Sequence, residues 1–279
     1  NLFNMSLIKS IIVKTKVAPL YSLSTFKSEM VTQALMWEEL KVLNKHDNWF
    51  KVKQWDGYIS WIHNSYTILN CNILSEIKDQ YKDDEFFLGW YCNYNSKSGH
   101  STIESECYLP LGACVPLFQN NDQFYFRKPD GSSEFINIKN YIKKDEFIYD
   151  YPSNILHFSS CELNVPYLWG GKTSFGYDCS GFVQTIFKLY GIKFPRDCSE
   201  QFKSPLLKKI DLENSKEGDL IFFNDNGKVS HVGIFINNHD FIHSSGEVKI
   251  DSISTLSNYD CSNELKSKFI GLYRFKNEF

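Results

Sequence analysis

The sequence predicts a multidomain chain in which two small all-β barrels precede an α+β domain. Three observations carry that expectation. The chain has 279 residues, more than one domain usually needs. Strand-length apolar runs recur about every 8 to 12 residues through the first half, with Gly, Asn or Asp between them, the spacing of small barrels. Near Tyr151 the pattern changes, with helical periodicity first and alternating strands after it. The expected domains are 1–68, 69–150 and 151–279.

In the first domain the strand runs are Leu7-Ile8, Ile11 to Val13, Val17 to Leu20, Leu40 to Leu43 and Trp49 to Lys53, with turns at Lys45 to Asn48 and Asp56-Gly57. The second domain is read from Tyr108 to Phe118 and from a hairpin: Gln123 to Arg127, a turn at Pro129-Asp130-Gly131, then Ser133 to Ile138. Pro presets φ in such a turn and Gly accepts positive φ. Lys78 to Glu85 reads as a charged connector, and Asp145 to Pro152 as the next boundary. In the third domain Asn154 to Leu163 suits a helix. Cys179 to Tyr190 suits another: Asp178 is a good N-cap, Phe182, Val183, Ile186, Phe187 and Tyr190 share an apolar face, and Gly191 is a stop. Strands follow at Gly218 to Phe223, Val229 to Ile236, Asp240 to Ser244 and Phe269 to Arg274, with a hairpin signal at Asn226-Gly227.

A net charge of −3 argues against a nucleic-acid binder. No run of 18 apolar residues predicts a membrane span. Asn1 to Val17 is mildly apolar, but Lys9 and Lys14 interrupt it, so no signal peptide is expected. The eight cysteines are Cys71, Cys92, Cys107, Cys114, Cys161, Cys179, Cys198 and Cys261. None stands at C-x-x-C spacing, which leaves a structural zinc site unsupported. An even count admits disulfides. A chain of this size can build a core without them, and reduced thiols are the favoured expectation.

Cys179 opens a predicted helix. The nucleophile in cysteine chemistry is the thiolate, and partial positive charge at a helix N-terminus favours it. His231 follows 52 residues later on a predicted strand, and His243 lies 12 further on the next. Across a hairpin the two imidazoles could meet, one as base and one orienting it. The alternative readings are a buried structural cysteine, a core histidine and a histidine near a turn. His46, His63, His100, His157 and His239 read as ordinary polar residues.

Two resemblances add to this. The segment Asn48 to Val52 with Asp56 to Ile62 resembles the bacterial SH3-like barrel, with Ser60 where glycine is usual. Gln33 to Leu40 resembles a further segment of that barrel, with Trp37 in place of glycine. The last ~130 residues resemble the NlpC-type papain-like cell-wall peptidases. The motifs are Asp178 to Val183, Pro195 to Gln201, Glu217 to Phe223, Val229 to Ile234 and Phe241 to Ser244. That resemblance implies two SH3-like barrels followed by an α+β papain-like cysteine peptidase domain, with Cys179 as nucleophile, His231 as base and His243 as its orienter.

The domain order, together with Tyr167 to Gly171, resembles the γ-D-glutamyl-L-diamino-acid endopeptidases. The implied reaction is cleavage between D-Glu and meso-diaminopimelate in murein peptides with a free N-terminal L-Ala. By the same resemblance Tyr167 holds the oxyanion, and Asp178, Ser180 and Trp169 line the substrate pocket. Glu38 and Tyr58 join Asp178 in recognising the free amine, since a buried ammonium needs carboxylate partners. Cys198 stands where that branch usually has Ser, a weaker hydrogen-bonding group at a position that touches substrate. Arg196 pairs with Asp197 or meets a substrate carboxylate. The resemblance implies no cofactor, a murein peptide as partner, no nucleic-acid or membrane partner, and a cytoplasmic location, or a periplasmic or secreted one if a leader has been removed. The alternatives are an exported hydrolase of polymeric peptidoglycan, a non-catalytic murein-peptide-binding protein, and an acyltransferase or amidase on the same fold.

Overall fold

The computed structural model describes residues 8–69, 85–89, 109–121, 123–136, 141–143, 155–237, 240–253 and 268–276. The chain divides into two compact units, Asn1–Phe147 and Ile148–Phe279. Of the expected features, the strand residue Leu7, the connector residues before Glu85, Tyr108, Asn137, Ile138, the whole boundary at 145–152, Asn154, and Cys71, Cys92, Cys107, Cys261, His100 and His239 lie outside the described residues.

The first unit opens with seven strands: β1 (Ser10–Val13), β2 (Val17–Tyr21), β3 (Met30–Leu35), β4 (Glu39–His46), β5 (Trp49–Lys53), β6 (Ile59–His63) and β7 (Thr67–Leu69). They form one antiparallel sheet in the order β3-β2-β6-β5-β4-β1-β7. Period-two alternation sends Ile11 and Val13 into a core with Ala18, Leu20, Ala34, Leu40, Phe50, Val52 and Ile62. Ile12, between them, faces the other way into a second core. That second core takes Val115, Leu117, Phe126 and Ile136 from a second sheet, made of β8 (Glu85–Gly89), β9 (Cys114–Asn120), β10 (Gln123–Arg127), β11 (Ser133–Ile136) and β12 (Tyr141–Lys143) in the order β11-β10-β9-β8-β12. The β10–β11 turn is closed by Gly131 at φ +85° and by Ser132, whose N–H donates to Asp130 Oδ1 at 2.9 Å.

Trp37 joins the two sheets. It holds φ +70°, a left-handed conformation that explains why a barrel of this pattern favours glycine there. The strain of roughly 1–2 kcal/mol is outweighed by what the side chain gains. The indole is buried among Leu109, Ala113, Val115, Leu117 and Phe126. Its Nε1–H donates to the carbonyl of Arg127 at 2.7 Å. Lys16 adds an ion pair to Glu134 at 3.0 Å.

The second unit runs α1 (Ile155–Cys161), β13 (Lys172–Thr173), β14 (Gly176–Tyr177), α2 (Cys179–Leu189), α3 (Cys198–Phe202) and then β15 (Leu207–Ile210), β16 (Leu220–Asp225), β17 (Lys228–Asn237), β18 (Asp240–Ser245), β19 (Glu247–Ser252) and β20 (Phe269–Phe275). The last six strands form a sheet ordered β15-β20-β16-β17-β18-β19. Asn226 and Gly227, at φ +50° and +79°, make the left-handed pair that a two-residue hairpin turn requires. Every residue of α2 is buried except Lys188, so this is a central helix, packed on β17 and β18. Gly191, at φ +74°, ends it. Cys114, Cys179 and Cys198 are free thiols. Cys161 is disulfide-bonded, which corrects the expectation of reduced thiols throughout. Among the described residues no helix is long and apolar enough to cross a membrane.

Candidate active site

Cys179 is the first residue of α2, and Asp178 caps the helix by accepting from the Gly181 N–H at 2.7 Å. The same carboxylate accepts from the Gly170 N–H at 2.9 Å and from both arms of Arg196, at 2.9 and 2.6 Å. Arg196 also reaches Ser180 Oγ at 3.1 Å. Its side chain is 1% exposed. A buried guanidinium with a bidentate carboxylate is the geometry in which such a pair is tolerated. Arg196 thus forms an ion pair with Asp178 inside the protein, and Asp197 is exposed at the start of α3.

Two glycines, Gly171 and Gly181, let the loop before the cysteine lie against the helix. A Cβ at Gly171 would stand 2.3 Å from the Gly176 carbonyl oxygen, and one at Gly181 would stand 2.1 Å from that of Gly171. The close backbone passage expected of Gly170-Gly171 is therefore real, with α2 itself as the neighbour.

The histidines come from adjacent strands. His231 on β17 and His243 on β18 meet at 2.6 Å, Nε2 to Nδ1. Gly233 makes room, since a Cβ there would come within 3.0 Å of His243 Cβ. His243 is fully buried, and burial pushes its pKa down, so it is held neutral. Its Nε2 lies 2.9 Å from Asp251 Oδ2 on β19. The hydrogen bond from His243 in turn holds Asp251 below the usual carboxylate range. Asp251 is the site residue that sequence reading missed. Its only sequence signal is a carboxylate eight positions after His243, in a stretch that did not read as a strand.

An ionised carboxylate only accepts, so His243 carries its proton on Nε2 and presents a bare Nδ1. His231 must then donate from Nε2, leaving Nδ1 to face Cys179. Cys179 Sγ lies 3.9 Å from the carbonyl oxygen of Ser230, the residue before His231, and the His231 imidazole favours the thiolate.

The Cys179 thiol is pulled well below its ordinary pKa. The largest cause is a hydrogen bond donated by the Cys198 thiol, with His231 adding to it against the opposing effect of burial. Cys198 moves the other way, because losing its proton would break that bond. Tyr167 lies near enough to Cys179 and Asp178 that their negative charge adds to burial in raising its pKa, so its phenol stays protonated. The structure thus brings Cys179, His231, His243, Tyr167, Asp178, Ser180, Arg196 and Cys198 together. Trp169 is 61% exposed on the loop nearby. Glu38 and Tyr58 belong to the first unit, where both are half-buried.

Residues 164–264 match the NlpC/P60 family and residues 20–65 match the bacterial dipeptidyl-peptidase SH3 domain. A gamma-D-glutamyl-L-lysine dipeptidyl-peptidase of Bacillus cereus (strain ATCC 10987 / NRS 248) is 29% identical over 242 residues, 79% of this chain and 68% of that protein. A protein of the same name from Bacillus subtilis (strain 168) is 39% identical over 107 residues, 37% of this chain and 36% of the relative. The crystal structure of an NlpC/P60 family protein from Bacillus cereus ATCC 10987 shares the fold, with a TM-score of 0.75 at 21% identity over 96% of this chain and all of that one. The chain is therefore a cysteine peptidase carrying an NlpC/P60 domain behind a bacterial SH3 domain.

Proposed function

We propose that the protein hydrolyses the γ-D-glutamyl bond to the diamino acid of murein stem peptides, with meso-diaminopimelate as that residue and a free L-Ala at the N-terminus. The observation that supports this reading is the chain His231, His243, Asp251, in which each group fixes the proton of the one before it, set beside a Cys179 thiol whose pKa is pulled down. In this mechanism the Cys179 thiolate attacks the γ-carbonyl, and the Tyr167 phenol donates to the oxyanion as charge develops. His231 gives its Nδ1 proton to the departing amine of the diamino acid, which leaves with its own chain. It then takes a proton from the water that attacks the acyl-cysteine. His243 and Asp251 keep His231 in the one tautomer and orientation that serve both steps.

The test uses L-Ala-γ-D-Glu-meso-diaminopimelate, its L-Lys counterpart and the N-acetylated form of the first, followed by mass spectrometry. Cleavage of the free-amine diaminopimelate peptide, with the acetylated form resistant and Cys179→Ala slower by on the order of 10⁴-fold or more, is the expected result. Preference for the L-Lys peptide would replace the third residue of the proposal. Equal cleavage of the acetylated form would remove the amine requirement, and with it the roles of Glu38 and Tyr58. Asp178 is already matched by Arg196, which leaves Glu38→Gln as the variant that should raise KM for the free-amine peptide if recognition depends on a carboxylate.

A second reading, an exported hydrolase of polymeric peptidoglycan, draws on the disulfide at Cys161, because disulfides persist in oxidising compartments. Release of peptides from intact sacculi would favour it over the short-peptide enzyme. Turnover of short peptides alone would leave the first reading in place.

A further inference from the structure

The mechanism has no use for Cys198 beyond its hydrogen bond, yet the fold holds this second thiol firmly beside the nucleophile. The residues around it are clamped to the residues around Cys179. Arg196 grips Asp178 and Ser180. Gln201, one turn into α3, donates to the Ser180 carbonyl at 3.0 Å. Helix α3 packs on both α2 and β17, the strand of His231. Both thiols are free and buried, at 7% and 8% exposure, and the state of each shifts the proton affinity of the other.

We propose that Cys179 and Cys198 form a peroxide-sensitive thiol pair that closes to a disulfide and reversibly switches the enzyme off. The proposal rests on the reading of Cys179 as a reactive thiolate. In the first step that thiolate attacks one oxygen of hydrogen peroxide, the O–O bond breaks, and hydroxide leaves as water with a proton from His231, giving a sulfenic acid. In the second step Cys198 loses its proton to His231 and attacks the Cys179 sulfur. The S–O bond breaks, and the hydroxide departs as water with that same proton. The two sulfurs lose two electrons and the peroxide gains them.

The order of events is built in. While Cys179 is a thiolate it holds the Cys198 proton in place, so Cys198 is inert. Oxidation of Cys179 removes that acceptor and frees Cys198 to react. The sulfurs then close to the disulfide length of about 2.05 Å. The bond also protects the nucleophile, because a sulfenic acid captured as a disulfide does not go on to the irreversible sulfinic acid.

The experiment treats the full-length, reduced protein with hydrogen peroxide, blocks remaining thiols and maps tryptic peptides. Cys179 and Cys198 fall on separate fragments, 173–188 and 197–203, each with a single cysteine. The expected result is a 173–188/197–203 linked peptide about 2 Da lighter than the sum of its reduced parts. Hydrolysis should fall by at least ~10-fold and recover with dithiothreitol. In Cys198→Ser, peroxide should instead add about 32 Da to fragment 173–188, and dithiothreitol should not restore the variant's own starting activity. Absence of the linked peptide at a peroxide dose that inactivates the wild type would overturn the proposal, whether or not the variant folds. So would equal recovery in the variant. The mapping needs no substrate. A linked peptide in a protein that hydrolyses nothing would sink the peptidase reading and leave the pair. Hydrolysis without a linked peptide would do the reverse.

Discussion

The two units are held at their centres by opposite kinds of chemistry. In the first, the decisive residue is an indole in a strained backbone conformation, buried among apolar side chains. In the second, it is a carboxylate that caps a helix, binds a loop amide and neutralises a buried guanidinium at once. The apolar centre fixes how two sheets stack. The polar centre aims a particular sulfur, and its parts have no substitutes. Substitutions should therefore cost stability alone in the first case, and stability together with activity in the second.

The largest break should come from Arg196→Ala, which leaves Asp178 as an unpaired buried charge and loosens the loop before Cys179. About 3–5 kcal/mol of stability should be lost, with hydrolysis falling alongside. Denaturant melts and hydrogen exchange over 155–237 would check it, and unchanged protection there would contradict the clamp. Trp37→Ala should cost a similar ~3–5 kcal/mol while sparing kcat of the folded protein. Trp37→Gly should cost about 1 kcal/mol less than the alanine form, because glycine accepts φ +70° without strain. If the two variants melt together, strain at residue 37 is not part of the balance.

Glu162 sharpens the contrast within the polar unit. It is buried at 1% exposure, and burial pushes its carboxyl up to about 7 despite a hydrogen bond from Ser174. Between the unfolded value and about 7, the folded state holds this proton more tightly, so the stability it allows is present at low pH and is lost as pH rises through 7. Glu162→Gln should raise the melting temperature at pH 8 and change it little at pH 5, a difference of about 3 kcal/mol at most. An equal shift at both values would show that Glu162 is not protonated at its site. The smallest effect is expected from Asp251→Asn. An amide can donate to His243 Nε2, force the proton onto Nδ1 and set it against the His231 N–H. Because Asp251 acts through two rings, kcat should fall about 10- to 100-fold, well short of the ~10⁴-fold seen when the directly bonded carboxylate of a triad is replaced. KM and melting temperature should hardly move.

The sequence made the centre of the second unit legible because local rules and tertiary demands agree there. Asp178, the apolar face of α2 and Gly191 each predict the same helix, and Asn226-Gly227 predicts the hairpin that aligns His231 with its sheet. What it did not announce were β15 and β19, the two edges of that sheet. Edge strands are short and charged, as Leu207 to Ile210 and Glu247 to Ser252 are, so their alternation is faint. Asp251 was missed because it rides on one of them. The Arg196–Asp178 pair was hidden for a different reason. Contact order cannot be read from adjacency, and the neighbouring Asp197 looked the nearer partner. Trp37, visible as a departure from the barrel pattern, was legible only as an oddity until a second sheet was found to receive it.

Gly181 has a consequence for anyone who would engineer this enzyme. A glycine in the first turn of a long helix is the usual target for thermostabilisation, since alanine there normally improves helix propensity by about 1 kcal/mol. Here the added methyl would meet a carbonyl oxygen at 2.1 Å. It would lever the Tyr167–Gly171 loop away from the thiol. A consensus or propensity-driven redesign would select that exchange as an improvement. The variant could gain helix content while losing the loop geometry on which turnover depends.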